Sequence, residues 1–203
     1  YWDGQVSLNW EPNGRDRFTF TGIGALDEFG IVAPGPDDDY RNQEIFQSVL
    51  RNDQKALTLG GSWRRLTSSG GVYRVSASHS RTDYRFSDDD VSGVSLLSNR
   101  SLENETRLEL EGEVGAGSGV RLAAGAELVR AAIDARVFQR AIPGGVLSQD
   151  VVYGTESAFW KPAAWAQLVW RSGRLTATGG ARLEGVTALD RPWAVGPRAS
   201  LRY

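Results

Sequence analysis

Between Trp160 and Trp170 every second residue is apolar: Trp160, Pro162, Ala164, Ala166, Leu168 and Trp170 share one face of an extended chain, with an indole at each end. Trp193, Val195, Pro197, Ala199, Leu201 and Tyr203 repeat the arrangement, and Trp2, Gly4, Val6, Leu8 and Trp10 give a shorter version. A ten-residue step of strand covers about 33 Å. Tilted by about 45° it leaves roughly 23 Å along the perpendicular, close to the height of the apolar band of a membrane-spanning β-wall between its two aromatic girdles. The pattern therefore reads as transmembrane β, with Trp2, Trp10, Trp160, Trp170, Trp193 and Tyr203 as the girdle.

Composition agrees with this and removes other classes. No stretch of about eighteen consecutive apolar residues exists, so a spanning helix is excluded. Barrel strands alternate between lipid and lumen, so a negative mean hydropathy is compatible with a bilayer. The absence of Cys removes disulfides, thiol nucleophiles and cysteine-held metals. With 23 basic against 25 acidic residues, no basic surface points to nucleic acid. There is no Met and no basic-then-apolar leader, so the N-terminus is expected to be processed or cut from something longer. At 203 residues one domain suffices, and we expect a single barrel segment over 1–203 with no plug domain.

The alternation predicts nine strands with short turns at one end and mostly longer connections at the other. They run over about Gly4 to Glu11, Asp16 to Glu28, Asp53 to Leu66 and Val72 to Phe86, then through the Arg107 to Val114 alternation. The remainder cover Val120 to Val137, the Trp160 to Trp170 stretch, Arg174 to Val186, and the C-terminal end. Pro12-Asn13-Gly14-Arg15, Ser68-Ser69-Gly70-Gly71, Gly115 to Gly119 and Ser172-Gly173 supply the turns. Long loops are expected around Pro34 to Tyr40, from Asp88 onward, and over about Arg140 to Thr155. Most strands reach ten residues or more, which favours a membrane barrel over a sandwich. The fold class is thus all-β: an antiparallel up-and-down transmembrane β-barrel, as an incomplete wall of about nine strands.

The face opposite the apolar one carries Arg107, Glu109, Glu111, Glu113, Arg121, Glu127, Gln167 and Arg182, and is expected to face the lumen. Keeping the apolar faces aligned in the fifth and sixth strands requires an odd-length loop. This would set Glu113 beside Arg121 and Arg107 beside Glu127, pairing opposite charges across strands. The alternative is a solvated sheet face with no ligand.

Other candidates are weaker. Asp37, Asp38, Asp39 and Asp88, Asp89, Asp90 are the dense acidic clusters, and carboxylates suit hard cations or cation-bridged contact with lipopolysaccharide. Neither run has the spaced ligands of a calcium loop, so solvated loop charge is the competing reading. His79 is the sole histidine and reads as a strand-wall residue, since metal sites need several such groups. Ser78 and Ser80 flank it, but neighbours along a strand point to opposite faces and cannot form a nucleophile–base pair. Gly22-Ile23-Gly24 lacks the third glycine of a dinucleotide fingerprint. No cofactor and no enzymatic activity are expected.

From the fifth strand onward the sequence resembles the barrel of a TonB-dependent outer-membrane receptor. The similarity lies in Trp165-Ala166-Gln167-Leu168-Val169-Trp170 followed by a turn and Leu175 to Gly180-Ala181-Arg182, in Gly125-Ala126-Glu127, and in the closing Pro197 to Tyr203. The resemblance implies a parent barrel of 22 strands around a plug, in the outer membrane of a Gram-negative bacterium, among lipid and lipopolysaccharide. It further implies import of a scarce ligand such as a siderophore, vitamin or oligosaccharide, with TonB as energy-coupling partner. Two rivals remain: a complete small barrel acting as adhesin or lipid-binding shell, and a soluble β-sandwich. The first reaches an even strand number if the chain turns at Arg51-Asn52-Asp53-Gln54.

Overall fold

A computed structural model describes residues 1–29, 51–89, 94–141 and 149–203. Among these residues the chain forms one antiparallel sheet of nine strands. They are β1 (Trp2–Trp10), β2 (Asp16–Phe29), β3 (Arg51–Leu66), β4 (Val72–Asp89), β5 (Ser95–Gly115), β6 (Val120–Gln139), β7 (Val151–Ser172), β8 (Leu175–Gly185) and β9 (Trp193–Arg202). Each pairs with its neighbours in chain order, so the sheet is an uninterrupted meander with β1 and β9 at its edges.

The tight turns follow their residues. Asn13 Oδ1 accepts the backbone N–H groups of Arg15 and Asp16, both at 2.9 Å, closing β1 to β2. Gly173 carries a φ of 57° in the two-residue loop between β7 and β8, and no non-glycine residue among those described has positive φ. That combination is the II′ hairpin, whose twist matches the flanking strands.

Two strands reach further than their residues suggest. The loop expected from Asp88 is instead ladder: Ser87 pairs with Ser98 and Asp88 with Leu97, with a register irregularity between Asp88 and Asp89. β5 therefore begins at Ser95, and the polar run Asn99 to Thr106 is strand because its backbone groups are paired on both sides. β7 likewise starts at Val151, shortening the third connection. The turn that would have split β3 at Arg51–Gln54 does not occur, since those four residues pair with Ser87–Tyr84. The Asp37–Asp39 cluster and Asp90 lie outside the described residues.

Among the described residues nothing packs on either face. The buried apolar side chains are Val129, Ala131 and Ala163, and no polar or charged residue among those described is buried. A sandwich would need a second inner face about 10 Å away, and the single sheet supplies none. Val129, Ala131 and Ala163 sit on the charged side of the sheet. Val129 lies between its direct partners Arg107 and Lys161, whose aliphatic stems cover it.

Pro162 explains where the β7–β8 ladder stops. The β6–β7 ladder runs through Leu128↔Pro162 unbroken, whereas the β7–β8 ladder ends at Ala163↔Glu184. The missing N–H of proline is turned toward β8. Contact resumes at Thr187, whose N–H donates to the Trp160 carbonyl (3.0 Å) and whose hydroxyl accepts the Trp160 N–H (2.9 Å).

Candidate functional site

The two faces of this sheet are its functional surfaces, and strand parity assigns every side chain to one of them. On one face a single cross-strand row is apolar from edge to edge: Trp10, Phe18, Trp63, Val75, Leu110, Ala126, Ala164, Leu183 and Val195. Large side chains on this face are open, with Trp10 59%, Leu110 47% and Val195 70% exposed. Trp10 stacks on Phe18 with ring centroids 5.1 Å apart, and Phe18 on Trp63 at 6.5 Å. The Trp63 indole N–H donates to Asp16 Oδ1 at 2.9 Å, leaving the ring apolar and its nitrogen anchored at the turn.

The row also measures the tilt. Trp10 closes the apolar stretch of β1, but it is level with Val195, eight residues short of Tyr203, where the apolar stretch of β9 closes. Eight residues are about 26 Å of strand, accumulated over eight strand spacings of about 4.8 Å, or roughly 38 Å. The apolar band thus crosses the strands obliquely at about 35°, the tilt of a closed barrel wall.

Trp2, Trp10, Trp160, Trp170, Trp193 and Tyr203 all fall on this apolar face and are all exposed. Trp10, Trp170 and Tyr203 stand toward the short turns; Trp2, Trp160 and Trp193 stand toward the opposite end. Sequence reading left Phe18 and Trp63 out of the aromatic set although they complete the Trp10 stack. His79 also lies on this face, its Nδ1 2.9 Å from the Thr106 hydroxyl, so two polar side chains satisfy each other there.

The opposite face carries the charges. The register of β5 with β6 differs by two residues from the expected one: Glu113 faces Ala123 and Arg107 faces Val129. Faces are unaltered by a two-residue shift, and the expected pairs form diagonally, Arg121 to Glu113 and Arg107 to Glu127, each at 3.0 Å. The direct partner of Glu109 is Glu127, an opposed pair of like charges. Glu109 accepts the Ser76 hydroxyl at 3.3 Å, and Arg107 and Arg182 flank Glu127.

These groups join into a chain of alternating sign across four strands. Lys161 reaches Glu105 at 3.0 Å, Arg107 bridges Glu105 (3.1 Å) and Glu127 (3.0 Å), and Arg182 links Glu127 (4.0 Å) to Glu184 (2.9 Å). A cavity of about 370 Å³ is lined by Arg107, Glu127, Lys161 and Arg182 together with Leu189 and Pro192 of the β8–β9 connection. Sequence reading missed Glu105 and Lys161, because Glu105 precedes the clear alternation and Lys161 lies between a Trp and a Pro.

Nearer the short turns, Arg17, Arg64 and Arg74 are directly opposed on β2, β3 and β4. Arg17 pairs with Glu11 and Arg74 with Glu111 (3.7 Å). Arg64, between them, has an enclosed Nε with no hydrogen-bond partner. Gln167 faces Ala123 and Gly180 on the same side. The Trp165 indole lies over Gly125, where a Cβ would come within 2.6 Å of its Nε1.

Asp88 and Asp89 are consecutive residues at the end of β4, at the register irregularity opposite Leu97 and Ser95. Among the described residues no group of three or more His, Asp or Glu side chains is placed to hold a metal ion.

A tilted single sheet, apolar on one side and charged on the other, is a section of an up-and-down barrel wall. The comparisons with solved structures say which kind. The chain is similar to the copper transporter OprC (TM-score 0.67, 14% identity, 98% of this chain and 33% of that one). It is also similar to the FpvAI–pyocin S2 complex (TM-score 0.65, 9% identity, 98% and 32%). A third match is the alcaligin outer-membrane receptor FauA from Bordetella pertussis (TM-score 0.58, 13% identity, 99% and 30%). No family model and no curated protein matches the sequence. The fold is that of part of the barrel of TonB-dependent outer-membrane receptors. The chain spans about a third of the length of these structures.

Proposed function

We propose that this sheet is a stretch of the wall of a TonB-dependent receptor in the bacterial outer membrane, importing a scarce ligand such as a siderophore, vitamin or oligosaccharide. Its apolar face meets lipid and lipopolysaccharide, with Trp2, Trp10, Trp160, Trp170, Trp193 and Tyr203 at the two interfaces. Its charged face lines the lumen. The observation that carries this reading is the nine-residue apolar row, which crosses all nine described strands while no second layer among the described residues covers it. Exposed apolar surface on this scale marks a membrane or protein contact.

Open sheet edges do not persist in hydrocarbon, so β1 and β9 are continued by further strands of a larger barrel. The wall contributes rigidity and a polar lining, and the connections contribute ligand choice. TonB would act on the whole receptor rather than on this sheet.

The test uses the full-length protein expressed in a Gram-negative host. Recovery in the detergent-extracted outer-membrane fraction, with mobility on gels that changes on heating, is the expected result, together with uptake that stops when TonB is deleted. Recovery as a soluble protein would overturn the reading.

A further inference from the structure

On the apolar face, beyond the apolar band and away from the short turns, the register opposes like charges. Arg85 of β4 stands directly opposite Arg100 of β5, which stands directly opposite Arg136 of β6. Like charges in direct opposition cost stability, and neighbouring acids relieve this unevenly. Asp83 holds Arg85 through two bonds of 3.0 and 2.9 Å but reaches Arg100 only at 4.0 Å. Asp134 lies 3.7 Å from Arg136. The Arg100 and Arg136 side chains remain 62% and 80% exposed.

These three arginines, with Arg51, Ser87, Ser98 and Phe138, line a cavity of about 390 Å³, to which Asp53, the direct partner of Arg85 on β3, contributes one carboxylate. Each guanidinium is a planar fork suited to gripping a phosphate through two bonds. Cross-strand neighbours stand about 5 Å apart, so the row from Arg85 to Arg136 spans about 10 Å. The directly opposed Ser87 and Ser98 add hydroxyls beside it.

Depth decides what kind of anion can reach them. Arg85 is twelve residues along β4 from Tyr73, and Arg136 fourteen along β6 from Leu122, which the slant of one residue per strand puts level with Tyr73 near the short-turn edge of the apolar band. At about 3.3 Å per residue and a tilt of about 35° these are roughly 32 and 38 Å along the membrane normal, against an apolar band about 25 Å tall. The row therefore climbs from about 7 to about 13 Å outside the hydrocarbon, through the layer of lipid head groups and the sugars they carry.

We propose that Arg85, Arg100 and Arg136 form a docking site for the phosphorylated sugar head group of a membrane lipid lying against the outer wall. The proposal rests on the membrane reading above and adds a specific ligand site to it. The head group bridges the opposed guanidinium groups, the serine hydroxyls meet its sugar, and its acyl chains run down the apolar face.

The experiment uses the full-length protein in phosphatidylethanolamine vesicles carrying either lipopolysaccharide or the same lipopolysaccharide after enzymatic dephosphorylation, with bound lipid counted by native mass spectrometry. Wild type should retain the phosphorylated form at least about tenfold better. Joint Arg85→Gln, Arg100→Gln and Arg136→Gln substitution should abolish that preference, whereas the matching triple Lys variant should keep part of it. Heat-modified gel mobility, read on every variant, reports insertion independently of lipid choice. Protein that inserts but shows no preference, or a Gln variant that keeps it, overturns the site while leaving the wall reading intact. Protein that fails to insert overturns both, and displacement by millimolar inorganic phosphate would reassign the site to free phosphate and overturn the lipid.

Discussion

Placing an arginine at Ala126 and at Ala123 asks the same chain the same question on its two faces. Ala126 sits in the middle of the apolar row, opposite Leu110 and Ala164; Ala123 faces Glu113 and Gln167 on the charged side. Neither substitution removes a large side chain, so lost packing does not confuse the result. If water bathes both faces, both changes are ordinary surface substitutions and fall within about 0.5 kcal/mol of wild type. If hydrocarbon touches Ala126, an arginine there costs about 2–4 kcal/mol, the value for a cation at the midplane of a barrel wall. That lowers the folding equilibrium by about 30- to 700-fold, at tenfold per 1.4 kcal/mol. Ala132→Arg adds a depth check: it lies six residues from Ala126 on the same face, about 16 Å along the normal, and should cost about 0–1 kcal/mol. The assay is reversible guanidinium unfolding of the full-length protein in vesicles, followed by tryptophan fluorescence. Equal stability of Ala126→Arg and Ala123→Arg would refute the assignment of faces to lipid and lumen.

Three further outcomes follow from local geometry. Gly125→Val should destabilise by about 1–3 kcal/mol, the usual range for overpacking, because the new side chain meets the Trp165 ring and the Leu110 carbonyl oxygen; unfolding midpoints and a shifted Trp165 emission would show it, and an unchanged midpoint would mean that the indole does not lie over Gly125. Gly119 combines a φ of 78° with a backbone that would place a Cβ against the Arg171 carbonyl oxygen, so Gly119→Ala should slow or lower folded yield on refolding into vesicles. A double-mutant cycle of Arg107→Met with Glu127→Gln should give a coupling of only about 0.2–1 kcal/mol that shrinks with added salt, since the Arg107 side chain is 42% and the Glu127 side chain 20% exposed and neither is fully buried; a coupling well above that would mean the ion-pair chain is shielded from water.

The faces of β5 were legible from Arg107 to Val114 because a period of two is a local property of the chain. Trp160 and Trp170, like Trp193 and Tyr203, could be placed on one side for the same reason. The exact partners were not legible. Glu113 and Arg121 meet diagonally because the turn centres one residue later than expected, and a register step of two leaves every face unchanged and so leaves no mark in the pattern. Asp88 and Ser95 to Thr106 look like loop by composition, yet the neighbouring ladders recruit them as strand.

From the sequence alone came the strand period, the apolar and charged sides and most of the turns, all of which depend on spacing along the chain. Tertiary structure decided what depends on which strands stand side by side: the oblique apolar row and its tilt, the Lys161-to-Glu184 ion-pair chain, and the opposed arginines on both faces. Register is a relation between distant segments, settled by backbone hydrogen bonds summed over whole ladders, and residues as far apart as Glu105 and Lys161 become neighbours only when that sum is made.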